Sequence, residues 1–151
     1  MDYDKKLIQL GIELPAPPAP VGSYVPVQYE QGLAYLSGQI SKSGNQILSG
    51  KLGRDLTIPQ GQAAARAAAL NVLGIIKHMI TFPRFKKIIK LVGYVNVTED
   101  FKDHSQVVNG ASDFFLDFFG ESGKHARSSI GVASLPLGAA VEVEVILALN
   151  S

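Results

Sequence analysis

The chain contains no cysteine, which removes disulfides, thiolate nucleophiles and cysteine-ligated metals from consideration. Charge is the second scarcity: Asp, Glu, Lys and Arg make up 18% of 151 residues, against about 25% in an ordinary soluble domain. The 14 basic and 13 acidic residues nearly cancel, leaving a net charge of +1, which argues against a nucleic-acid groove. The densest basic stretch, "RFKKIIK" at 84–90, alternates into apolar residues and reads as the solvated start of a strand. No apolar run approaches the roughly 20 residues of a bilayer crossing, so no membrane span is expected. The opening "MDYDKKLIQLG" lacks the apolar core of a signal peptide, and a cytoplasmic location is the expectation.

The spacing argues against several kinds of site. His78, His104 and His125 fall on different elements, without the intervals of a zinc site or a histidine triad. His125 alone stands close to another candidate, Arg127, although a surface-loop histidine is the simpler reading. "SGQIS" and "SKSGNQ" have no lysine in register for a phosphate loop. "GESGKHA" at 120–126 follows a helix and precedes a strand, the reverse of what phosphate binding at a helix N-terminus requires. No internal repeat or low-complexity tract is visible.

What is present is apolar material: 46% of residues are hydrophobic, enough for one core, and the length fits a single domain, 1–151. The low charge then implies that part of the outer surface is buried against other copies. "DYDKKLIQLGIEL" reads as a short helix ended by "PAPPAP" at 15–20, which must run extended. "YVPVQYEQG" and "LAYLSGQIS" read as strands around a turn at Gln31-Gly32. Residues 41–58 read as a loop, with a short strand at "QILSGKLG". Thr57 and Pro59 open a helix whose apolar face is Ala65, Ala68, Val72, Ile75, Ile76 and Met79, and Pro83 stops it. "KIIKLVGYVNVT" is a strand. Asp103 caps a second helix with Val107, Ala111, Phe114, Phe115 and Phe118 inward, and Gly120 ends it. Strands at 126–133 and 140–149 follow, separated by "SLPLG". Two helices on one face of a sheet make an α+β sandwich whose other face, if apolar, must meet another subunit.

The chemistry concentrates near the C-terminus. In "VEVEVIL" (141–147) the valines point one way and Glu142 and Glu144 the other. In "ARSSIGVA", Arg127, Ser129, Gly131 and Ala133 share a face. Antiparallel pairing of these strands around "LPLG" would put Arg127 on the same face as Glu142 and Glu144. That admits two readings: an exposed ion pair of little consequence, or an arginine gripping a carboxylate or phosphate with a glutamate handling protons. Asn109-Gly110 is an unfavourable pair for a helix interior; it is either tolerated at a surface or marks a ligand contact or a close backbone approach. Tyr24, after Gly22, is a core tyrosine or a lid over a cleft.

"VGSYVP", "YLSGQIS", "VNGASDFF" and "ARSSIGVASLPLGAAVEVEVILAL" resemble, in order, the landmarks of the RidA/YjgF family, also known as endoribonuclease L-PSP domains. The resemblance spans about residues 20–150 and is similar to a longer YjgF-like subgroup. It implies a chorismate-mutase-like α+β fold, with a mixed β-sheet, two helices on one face, and a trimeric barrel with clefts between subunits. It also implies hydrolysis of reactive 2-enamino and 2-imino acids to 2-keto acids and ammonia, without cofactor or metal. By the same resemblance Arg127 clamps the substrate carboxylate, Glu142 orients or activates water, and Tyr24, Gly38, Asn109 and Ser129 line the cleft. Ser129 stands where many members have cysteine, and Ser23 where proline is usual. The alternatives within the family are a non-catalytic binder of small carboxylates and, against the charge balance, a ribonuclease or translation inhibitor.

Overall fold

The long alanine-rich segment folds as α2 (Ile58–Ile75) because its first turn is closed from both sides. Gln60 N donates to Thr57 Oγ1 at 3.3 Å and Thr57 N donates to Gln60 Oε1 at 2.9 Å, satisfying two backbone donors that a helix start leaves open. The structure, a computed structural model, describes residues 2–17, 19 and 22–151. Ala64, Ala65, Ala68, Ala69, Val72 and Leu73 are buried. The helix continues as a π-turn, Ile76–Ile80, where Thr81 N bonds to Ile76 O at 2.7 Å. That wider turn shifts the inward face, so Ile80 is fully buried and Met79 is 41% exposed, contrary to the position the periodicity assigns Met79. Over Ile58–Ile80 the segment has the length and apolar composition of a bilayer span, which corrects the expectation that no such stretch exists; 61% of that window is buried within the fold.

The N-terminal helix α1 (Tyr3–Leu10) is capped by Asp2, whose side chain accepts from Lys5 N, and stops at Gly11 with φ +62°. It therefore ends before the proline segment rather than at it, the left-handed glycine closing the last turn. Of "PAPPAP", Pro18 and Pro20 lie outside the described residues; the rest has no regular secondary structure. Tyr3 enters a cluster with Phe82, Phe85, Phe118 and Phe119, fixing α1 against the core.

The strands are β1 (Val27–Glu30), β2 (Leu33–Leu36), β3 (Gln39–Ile40), β4 (Lys42–Ser43), β5 (Gln46–Ile47), β6 (Phe85–Asn96), β7 (Ala126–Val132) and β8 (Val141–Leu149). The second helix of the sandwich is α3 (His104–Phe119), following Asp103. Asp103 takes the capping position, but its carboxylate accepts from the Gln106 side chain at 2.8 Å. The main sheet runs β1-β2-β8-β6-β7, with β3 also on β8. β1, β2 and β8 pair antiparallel, β8 and β6 antiparallel, and β6 and β7 parallel. Thus β6 lies between the last two strands, and their direct antiparallel pairing does not occur.

The register settles the faces. Arg127 lies level with Leu91 and Val145, both buried, whereas Glu142 lies level with Tyr94 and Glu144 with Val92. Successive strand residues alternate sides, so Arg127 faces the helices and both glutamates face the uncovered side. The shared face expected for these charges is not realised, because β6 intervenes and sets the register. Phe115, Phe118, Leu73 and Val72 fill the space between helices and sheet. The uncovered face carries Tyr35, Val92, Tyr94, Ile130 and Ile146 among Glu142, Glu144, Lys90 and Ser128, so it is mixed rather than purely apolar.

Candidate ligand-binding site

Edge strand β7 presents Arg127 to one face of α3. Its Nη1 donates to Asn109 Oδ1 at 2.7 Å and to Ser112 Oγ at 3.1 Å, and its Nη2 donates to the Ser105 carbonyl at 3.4 Å. Asn109 and Ser112 are one helical turn apart and so project from the same side of α3. The Asn-Gly pair serves two needs: Asn109 reaches the arginine, while a Cβ on Gly110 would lie 2.1 Å from Gln62 O. Close helix–helix approach thus requires glycine there.

An open cleft of about 440 Å³ is lined by Asn109, Ser112, Asp113, Leu116, Lys124, His125 and Arg127. His125 Nδ1 lies 2.6 Å from Gly123 O and its Nε2 lies 2.9 Å from Ser112 Oγ. Burial holds this imidazole below its ordinary pKa and the Arg127 charge adds to that, against the Gly123 carbonyl. Ser129, two residues along β7 on the same face as Arg127, has a buried hydroxyl that meets no partner among the described residues.

Glu142 belongs to a different surface. A Cβ on Gly38 would lie 2.2 Å from its Oε1, so glycine leaves room for the carboxylate. Burial first, then the charge of Glu144, raises the Glu142 pKa above the ordinary value. Tyr94 Oη donates to Glu144 Oε1 at 2.9 Å. The Tyr94 hydroxyl is itself raised, by burial first and then by that bond. Tyr24 precedes β1 and is 53% exposed, so it is not a core residue. Ser37 Oγ bonds to Val25 O at 2.7 Å, holding the segment that carries Tyr24 beside the Ser37-Gly38 break between β2 and β3.

The six residues singled out in the sequence therefore form two groups. Arg127, Asn109 and Ser129 lie on the helix-facing side of the sheet at the β7 edge. Glu142 and Gly38 meet on the other side, near the Tyr24 segment. An ion pair between Arg127 and Glu142 within one chain is excluded by this placement. Ser112, Lys124 and Leu116 were not singled out. The available signal was a serine three residues after Asn109, on the same helical side. A second groove, about 410 Å³ between the helices and lined by Arg66, Phe114 and Phe118 among others, holds none of the six.

Comparison with known proteins gives consistent results. A family model described as "YjgF/chorismate mutase-like, putative endoribonuclease" matches residues 4–149. Protein TCP17 of Trypanosoma cruzi is 44% identical over 148 residues, 96% of this chain and 92% of that protein. The 2-iminobutanoate/2-iminopropanoate deaminase of Dermatophagoides farinae is 28% identical over 141 residues, covering 92% and 95%. The crystal structure of Atu1372 from Agrobacterium tumefaciens superposes with a TM-score of 0.90 at 34% identity, covering 98% of this chain and 92% of that one.

Proposed function

Since the chain belongs to the YjgF/chorismate mutase-like family, we propose that it hydrolyses reactive 2-enamino and 2-imino acids to 2-keto acids and ammonia. The observation that carries the reading is Arg127, whose guanidinium is held by Asn109 and Ser112 at the wall of an open cleft. A fixed planar fork of donors suits a carboxylate, which it can bind bidentately. The similarity to a 2-iminobutanoate/2-iminopropanoate deaminase supports the same substrate class.

Glu142 supplies the second half. A carboxyl group whose pKa is raised by burial and by the neighbouring Glu144 charge holds a proton more readily and can both accept and return one. As water attacks C2, Glu142 takes its proton, the new C–O bond forms and the C=N electron pair moves to nitrogen. The same carboxyl returns that proton to nitrogen, giving the carbinolamine; the hydroxyl proton then passes through the carboxylate to nitrogen as the C=O bond forms, the C–N bond breaks and ammonia leaves. The enamine tautomer requires one earlier step, protonation at C3, for which the neutral carboxylic acid is the donor. The substrate is already electrophilic, so positioning and proton transfer are sufficient.

One chain holds the two halves on opposite sides of its sheet. The reading therefore includes a homotrimer, in which the uncovered face of one copy brings Glu142, Gly38 and Tyr24 to the Arg127 cleft of the next. The mixed composition of that face supports this, since tyrosines and isoleucines surround the carboxylates. No cofactor enters the scheme.

The test is release of keto acid from freshly generated 2-aminoacrylate and 2-iminobutanoate, measured above the spontaneous rate. Wild type should accelerate it. Arg127→Ala should raise KM roughly 10- to 100-fold, the worth of a charged hydrogen-bond pair. Glu142→Gln should lower kcat roughly 10²- to 10⁴-fold. Binding of 2-oxobutanoate without turnover would point instead to a carboxylate-binding protein.

A further inference from the structure

We propose that Ser112 and His125 are positioning residues for Arg127, forming a directed hydrogen-bond chain that fixes the guanidinium for acid binding. The inference rests on the proposed role of Arg127, but the chain is read from geometry alone.

The direction follows from atom types. The Gly123 carbonyl can only accept, so His125 Nδ1, 2.6 Å away, carries the hydrogen. In a neutral imidazole Nε2 is then an acceptor, and the Ser112 hydroxyl, at 2.9 Å, is its donor. With its hydrogen committed to His125, Ser112 Oγ turns its lone pairs toward Arg127 Nη1, which donates at 3.1 Å. Asn109 Oδ1 takes a further bond from the same nitrogen. Ser112 is 7% exposed, so it has little freedom to find other partners. The arginine is thereby pinned from the helix side, leaving its remaining donors for a ligand.

Protonation of His125 would break this order. Both ring nitrogens become donors, so Nε2 takes one of the two Ser112 lone pairs that had faced Arg127, and the serine hydrogen loses its acceptor. An imidazolium would also face the guanidinium, a like charge. The other charged groups around the ring are Lys124 beside it, ion-paired to Glu121 at 2.8 Å, and Asp113 across the cleft on α3. They are common to every variant below, so a difference between wild type and a His125 variant isolates the imidazole.

Glutamine can place an acceptor where Nε2 stands but cannot titrate in this range. His125→Gln should keep the 2-oxobutanoate affinity of wild type near neutral pH. Ser112→Ala and His125→Leu should weaken it roughly 3- to 10-fold, the worth of one lost hydrogen bond, appearing in KM rather than kcat because the clamp acts on ground and transition states alike. Relative to His125→Gln, wild type should lose affinity as pH falls below 6.5, through the lowered His125 pKa. Any change common to both proteins reports the other titrating groups of the cleft, Glu142 of the neighbouring copy included.

Two readouts separate this inference from the deaminase reading. The first is calorimetric 2-oxobutanoate affinity across pH, with Arg127→Ala as the reference for a lost clamp. The second needs no ligand: the side-chain ¹⁵N–¹H signals of Arg127, resolved when the guanidinium is held and collapsed when it rotates freely. Resolved signals in wild type and His125→Gln, collapsed in Ser112→Ala and His125→Leu, are expected. Identical Arg127 signals in all four folded proteins would overturn the inference, whether or not wild type turns over an imine. Absence of turnover with the expected signals would overturn only the proposed reaction.

Discussion

A methyl group on residue 38 would collide with the Glu142 carboxylate, 2.2 Å from Oε1. The obstructing atom ends a flexible side chain rather than lying in the backbone. Gly38→Ala should therefore fold with a melting temperature close to wild type while Glu142 turns aside, and turnover should fall toward that of Glu142→Gln. An equal loss of stability and activity would mean that Gly38 serves the backbone alone. The raised pKa of Glu142 has a second consequence. The folded protein holds this proton more tightly than the unfolded chain, so the stabilisation is fully present below the ordinary value of 4.5 and is lost as pH rises through the folded value. At pH 7 Glu142→Gln should be more stable than wild type, and the difference should vanish below pH 4.5; thermal melts across that range measure it. At this scale the sequence was informative where a residue was chemically unusual for its place, as with Arg127 opening a strand and Asn109 inside a helix. Ser112 was not legible, since a serine on a helix has no such mark until its neighbours in space are known.

Among the elements, periodicity located α2, β6, α3 and β8 because each must bury one consistent face. It misplaced Met79, because a π-turn cannot be read from a pattern that assumes uniform rotation per residue. It also could not show that β6 separates β7 from β8. Two strands either side of a third stand about 10 Å apart, too far for a tight hairpin. The connection instead takes a 3₁₀ turn at Pro136–Gly138, with Leu137 at φ +57°. The α2–α3 contact gives the sharpest element-scale prediction. Gly110→Ala would normally stabilise an exposed helix by roughly 1 kcal/mol, but here the added carbon meets Gln62 O at 2.1 Å. The backbone cannot rotate aside, so denaturant melts should show a net loss of about 1–3 kcal/mol. Because Asn109 moves with that helix, KM should rise as well.

For the whole molecule, the decisive feature is that the sheet separates Arg127 from Glu142 within one chain. The proposed site uses both and so requires a neighbouring copy, and residues from two copies can be tested by complementation. Arg127→Ala and Glu142→Gln should each assemble yet be nearly inactive alone. Denatured together in equal amounts and refolded, they should form mixed trimers. A cleft is intact when the copy giving arginine is the Glu142→Gln chain and the copy giving glutamate is the Arg127→Ala chain. Random assembly in a closed ring gives that combination at about one cleft in four, so about a quarter of wild-type activity should return. Sites contained within single chains would recover nothing, because every chain in the mixture lacks one group. The regained fraction thus tests the shared cleft, and sedimentation of the same mixture tests the trimer. The scarcity of charge in the sequence fits the proposed trimer, since a face that completes a neighbour's site must be apolar enough to be covered and still keep two carboxylates.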